Sequence, residues 1–178
     1  MKKKLSILAV IAILAVASFA TLAYLTDSAD AVTNTFTVGD IDIELEEEFD
    51  EDPKIYPGAE ITKKPVVTVL ANSEPTYLYI FIDNKIGEDA KLDIDGAKWI
   101  PVGTSGKVFR YFEIVQTDDD SQEFTMFTKV TFDETLTKED LEAIGTPEIV
   151  VAAYAHQAVE VDLAVANTAA ITHFGVTP

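Results

Sequence analysis

Tyr77-Leu78-Tyr79-Ile80-Phe81-Ile82 is the stretch that decides the fold. Every position in it is bulky and β-prone, which marks a buried strand. Upstream, Val66 to Leu70 is β-branched and apolar until Asn72 to Pro75 breaks it. Further back, Tyr56-Pro57-Gly58 reads as a turn. Phe36, Val38, Ile41, Ile43 and Leu45 form two short alternating sets, interrupted by a bend signal at Gly39-Asp40. Glu44 to Asp52 is so acidic that a solvated loop or strand end is expected there.

Downstream, Lys85 to Gly96 is polar and reads as a loop, after which Lys98 to Val102, Val108 to Val115 and Phe124 to Phe132 read as strands. Thr117 to Ser121, with its three consecutive aspartates, is expected to be a hairpin turn between the last two. Thr137-Lys138-Glu139-Asp140 is a capping-box variant opening a short helix that ends near Gly145. Ile149 to Tyr154 is another strand, and alanine-rich Asp162 to Thr172 a final helix. The pattern predicts a mainly β chain: an antiparallel β-sandwich of the jelly-roll or Ig-like kind with one or two short helices.

Composition agrees with a folded domain: 178 residues, 48% hydrophobic and 25% charged. The charge is lopsided, with 31 acidic against 13 basic residues and a net of −18. Such a field repels nucleic acid and anionic lipid surfaces, so neither is an expected partner. Cysteine is absent, which removes disulfides, Cys-ligated zinc and thiol catalysis together.

The N-terminus has the order of a secretory signal. Lys2, Lys3 and Lys4 precede an uncharged apolar run from Leu5 to Ala23. Thr21-Leu22-Ala23 places small side chains one and three positions before a cut between Ala23 and Tyr24; Ser18-Phe19-Ala20 is a competing site, and an uncleaved anchor helix is the other reading of the apolar run. Residues 1–23 are therefore read as a signal helix and 24–178 as a single secreted domain, which meets the membrane only before cleavage.

Motifs for chemistry are sparse. His156 and His173 lie too far apart for a His-Glu-x-x-His zinc helix, and neither has a glutamate beside it. No Gly-x-Ser-x-Gly elbow, phosphate loop or dinucleotide fingerprint is present. Asp93-Ile94-Asp95-Gly96 echoes the opening of a calcium loop without its distal ligands, and Asp118 to Asp120 would hold calcium only loosely. No cofactor is expected, and Trp99 is assigned to the core.

One set of residues carries a resemblance. Ala23-Tyr24-Leu25-Thr26-Asp27, followed by the run from Asn34 through Phe36 and Gly39 to Leu45, resembles the opening of the TasA/camelysin family. Pro57-Gly58 with Ile61 to Val66, and Ala153-Tyr154-Ala155-His156-Gln157-Ala158, are similar to later segments of such exported proteins. Leu25 and His156 depart from the usual residues at their positions. The resemblance implies export through a SipW-type signal peptidase and a place on the cell surface or in a biofilm matrix. It also implies a jelly-roll subunit that polymerises head to tail by donor-strand complementation. That no catalytic residues are expected follows from the absent zinc motif, not from the resemblance.

Tyr24 to Val38 would be the donor. Val32, Phe36 and Val38 share one face of it with Asn34 as the polar break, and Tyr24 and Leu25 lead it. Two other functions stand beside this one: a camelysin-like metallo-endopeptidase, and a monomeric surface module that binds a protein or glycan.

Overall fold

The structure is a computed structural model that describes residues 40–49 and 53–177. The strands are β1 (Ile43–Phe49), β2 (Glu60–Val69), β3 (Thr76–Asn84), β4 (Ala90–Leu92), β5 (Trp99–Val102), β6 (Val108–Tyr111), β7 (Gln122–Thr125), β8 (Lys129–Phe132) and β9 (Ile149–Gln157). The helices are α1 (Lys138–Ile144) and α2 (Leu163–His173). Two antiparallel sheets face each other. One runs β1-β2-β8-β4 with β7 also beside β2, and the other runs β5-β6-β3-β9.

The YLYIFI run sits in β3, between β6 and β9. Leu78, Ile80 and Ile82 point into the space between the sheets. Tyr77 and Tyr79 point the other way, onto a second apolar cluster that contains Ala166, Ala170 and Ile171 of α2. A strand covered on both faces has no use for alternation, so it reads as an unbroken apolar run. Between the sheets, Trp99, Met126, Phe127 and Phe132 join Val67 and Val69 in the core. The Trp99 indole N–H donates to the Thr125 carbonyl at 3.0 Å, so its one polar atom is satisfied.

Several elements differ from the sequence expectation. The acidic run is a strand: β1 continues through Glu44, Glu46, Glu47 and Glu48, paired along its whole length with β2. A sheet edge allows this, because side chains there reach water easily. The Lys85 to Gly96 stretch holds a 3₁₀ turn, Gly87–Asp89, and then β4. Phe124 to Phe132 is two strands, β7 and β8, which pair with opposite halves of β2. Pro65, which lacks an N–H, lies in the gap where β2 changes partner from β8 to β7. The aspartate-rich segment Thr117 to Ser121 is a crossing between sheets: β6 pairs with β3 and β5, whereas β7 pairs with β2.

Both helix starts follow the sequence. The Thr137 hydroxyl accepts from the Asp140 N–H while the Asp140 carboxylate accepts from the Thr137 N–H at 2.8 Å, and Gly145 ends the helix at φ +64°. Asp162 caps α2 by accepting from the Ala164 N–H at 2.8 Å.

Candidate functional site

Sheet edges carry unpaired backbone donors and acceptors, and folded proteins usually guard them with charge, proline or shortness. β4, β5 and β7 are three or four residues long, β5 contains Pro101, and β4 and β7 carry Lys91 and Glu123. β1 carries four glutamates. β9 has none of these guards. It is nine residues long, reads IVVAAYAHQ, and has no acidic residue, lysine, arginine or proline. It pairs with β3 on one side and with no strand on the other among the described residues. From Val151 to His156 every residue is half-buried.

An apolar cleft opens beside this edge. Phe49 at the end of β1, Ile61 on β2, Val130 and Phe132 on β8 and Ile149 at the start of β9 enclose about 220 Å³. Lys63 also lines it. This lysine shares the interior-facing row of β2 with Ile61, Val67 and Val69 and is only 9% exposed. Its ammonium pairs with the Glu47 carboxylate and lies 5.3 Å from the centre of the Phe49 ring. The pair keeps the charge from being stranded in apolar surroundings. Nothing in the sequence marks Lys63, rather than the adjacent Lys64, as buried.

The opposite end of the sandwich is held by the residues nearest the N-terminal segment. The Asp40 carbonyl accepts from the Glu74 N–H at 2.9 Å, the Asp42 carbonyl from the Leu70 N–H at 2.9 Å, and the Ser73 hydroxyl from the Asp42 N–H at 3.2 Å. Ala23, Tyr24, Leu25, Val32, Asn34, Phe36 and Val38, the expected cleavage and donor residues, lie outside the described residues.

The two histidines are brought to the same tyrosine. His173, at the end of α2, stacks on Tyr154 of β9 with ring centres 4.4 Å apart, and His156 meets the edge of that ring at 6.2 Å. His156 Nδ1 lies 2.8 Å from the Gln157 carbonyl. Among the described residues no three His, Asp or Glu side chains converge as metal ligands do.

The Asp93 turn is internally satisfied. Its carboxylate accepts from the Thr128 and Lys129 N–H groups and the Thr128 hydroxyl at 2.6–2.9 Å. Partial burial alone would raise the Asp93 pKa, but these bonds outweigh it and hold the carboxyl below its usual range. On the outer face of the second sheet, burial pushes the Tyr79 phenol well up, against the pull of Arg110. The Tyr79 hydroxyl donates to Asn167 Oδ1 at 2.9 Å and so ties α2 to β3.

No family model, curated protein or solved structure matches the chain.

Proposed function

We propose that this protein is an exported structural subunit of the jelly-roll kind, which assembles into fibres on the cell surface or in an extracellular matrix by donor-strand complementation. It is a non-enzymatic protein whose partners are further copies of itself and, before export, a SipW-type signal peptidase. The observation that carries this reading is β9, a long uncharged edge strand left without a neighbour among the described residues. An edge of this kind is a template for another strand: main-chain hydrogen bonds supply affinity, and alternate side chains set the register. The export-like N-terminus and the Tyr24 to Val38 pattern supply the donor.

The test is electron microscopy of secreted, processed protein beside a variant lacking Tyr24 to Thr33. Fibres from the intact chain, and a folded but monomeric variant by circular dichroism and size exclusion, are the expected pair. A monomer from the intact chain at every concentration would favour a surface binding module instead. Intact-mass analysis should place the mature N-terminus at Tyr24; a mass retaining Leu5 to Phe19 would mean a membrane-anchored protein.

A further inference from the structure

We infer that the apolar cleft between Phe49 and Ile149 is a binding site for a small neutral molecule, a ring-sized apolar body carrying one oxygen that accepts from the Lys63 ammonium. The inference does not rest on the fibre reading, since every residue it uses belongs to one copy.

Shape comes first. The cleft is the open end of the space between the two sheets. Ile61, Val130 and Phe132 wall it from the first sheet and are buried members of the main core. Ile86, which follows β3, and Ile149, which opens β9, line it from the second sheet and are half-buried. Phe49 is half-exposed and stands where the cleft meets water. The volume is about 220 Å³. A cavity of about 150 Å³ with walls of this kind holds a benzene ring, so a substituted ring fits here.

One buried polar group faces this apolar space. Lys63 lines the cleft, is only 9% exposed, and holds its ammonium over the ring of Phe49. An ammonium carries three N–H donors. Glu47 accepts from it, and among the described residues no second acceptor bonds it. Buried donors are almost always paired, so this point of the cleft calls for an acceptor. An oxygen on a bound molecule supplies one.

Charge then decides the kind of molecule. The two ionised side chains that line the cleft already have counter-charges: Lys63 has Glu47, and Glu148 has Lys85 at 2.8 Å. An entering carboxylate would add a charge without a partner, in apolar surroundings and on a chain of net −18. An organic cation would lie beside the Lys63 ammonium with the same defect. A neutral alcohol or ketone oxygen takes a remaining Lys63 N–H and leaves both ion pairs balanced. Small aromatic alcohols and ketones are therefore the ligand class.

The probes are benzyl alcohol, toluene and benzoate, titrated into the full chain while NMR follows the methyl groups of Ile61, Val130 and Ile149. Benzyl alcohol should move these methyls with a Kd of about 1 mM, in keeping with its size. Toluene has the ring without the oxygen and should bind about tenfold more weakly, with benzoate no better than toluene. In Lys63→Met the advantage of benzyl alcohol over toluene should vanish while toluene still binds, which shows the cleft intact. Ile149→Trp fills the cleft with an indole and should abolish binding of both. Where circular dichroism finds that variant unfolded, Ile86→Trp fills it from the neighbouring turn. Methyls that stay silent with all three probes would overturn the site, including the case in which another part of the chain occupies it. Benzoate binding more tightly than benzyl alcohol would overturn the neutral class. A benzyl alcohol advantage that survives Lys63→Met would overturn the role of the lysine.

Discussion

β1 and β9 are the edge strands on one side of the sandwich, one from each sheet, and they approach each other there. Their chemistry is opposite. β1 reads IELEEEF and turns most of its residues to water; β9 reads IVVAAYAHQ and half-buries all but Val150 and Gln157. Both are well paired on their inner sides, along seven residues for β1 and nine for β9. Pairing therefore does not account for the contrast. Negative charge makes the β1 edge repel a second strand, particularly one from an equally acidic copy. The β9 edge has no strand partner among the described residues and meets an approaching strand with small apolar side chains. Among the described residues, one flank thus carries a charge-guarded edge beside an unguarded one.

The strongest way to break the contrast is to guard β9. In Ala153→Lys the long side chain can reach round the open edge to water in the monomer, but an added strand would trap its charge. A trapped, unpaired charge costs about 3 kcal/mol, so association should weaken roughly a hundredfold while the monomer stays folded. Sedimentation and circular dichroism together check this. Unchanged assembly would mean that β9 is not the contact.

The next test lies at the cleft, where β1 and β2 meet. Lys63→Glu would put a second carboxylate beside Glu47 in apolar surroundings. It should destabilise the fold by about 2 kcal/mol, less than a fully buried pair because Glu47 is partly exposed. Lys63→Met, which fills the same space without charge, should fall within about 1 kcal/mol of the parent in denaturant unfolding. A large loss in Lys63→Met would show that the ion pair itself, rather than the avoidance of an unpaired charge, holds β1 in place.

On the β9 side, Tyr79→Phe removes the hydroxyl that bonds Asn167 and should cost about 1 kcal/mol. Amide exchange in α2 should rise with it, since this bond ties the helix to β3. Smallest in stability is the combined change of Glu44, Glu46 and Glu48 to Gln, expected within about 0.5 kcal/mol of the parent. Its effect belongs to association. The parent should assemble better as salt rises, because self-repulsion is screened over about 8 Å at physiological ionic strength, and the triple variant should show a shallower salt response. Assembly of the parent that falls steadily with sodium chloride would contradict the repulsion argument.

Acid has two opposing effects. Protonating surface carboxylates relieves repulsion and should favour association. The Asp93, Asp133 and Asp140 carboxyls, however, are all held below their ordinary value of 3.8 by hydrogen bonds in the folded state. A depressed folded pKa adds stability that is fully present above the unfolded value and is lost as pH falls through the folded one. Assembly should therefore improve on mild acidification and then fail as these turns loosen. In Asp93→Asn, thermal unfolding should depend less on pH below 3.8 than in the parent.

Much of the secondary structure was legible because it depends on neighbours in the chain. YLYIFI can satisfy its side chains only as a buried strand, Thr137 and Asp140 cap one helix from within four residues, and Asp162 caps the other. The acidic β1 was harder to read, since seven residues rich in glutamate become a strand only when β2 supplies partners along their length. Phe124 to Phe132 likewise looks continuous until β2 divides it at Pro65. Ile149 to Tyr154 was recognisable as a strand from its own residues. That it is an edge among the described strands, and the one of them without charge, proline or shortness to guard it, depends on which strands surround it, and that was decided only by the assembly of the two sheets. The same holds for Lys63: its charge is written in the sequence, but its burial is set by the direction in which the paired strand turns its side chain.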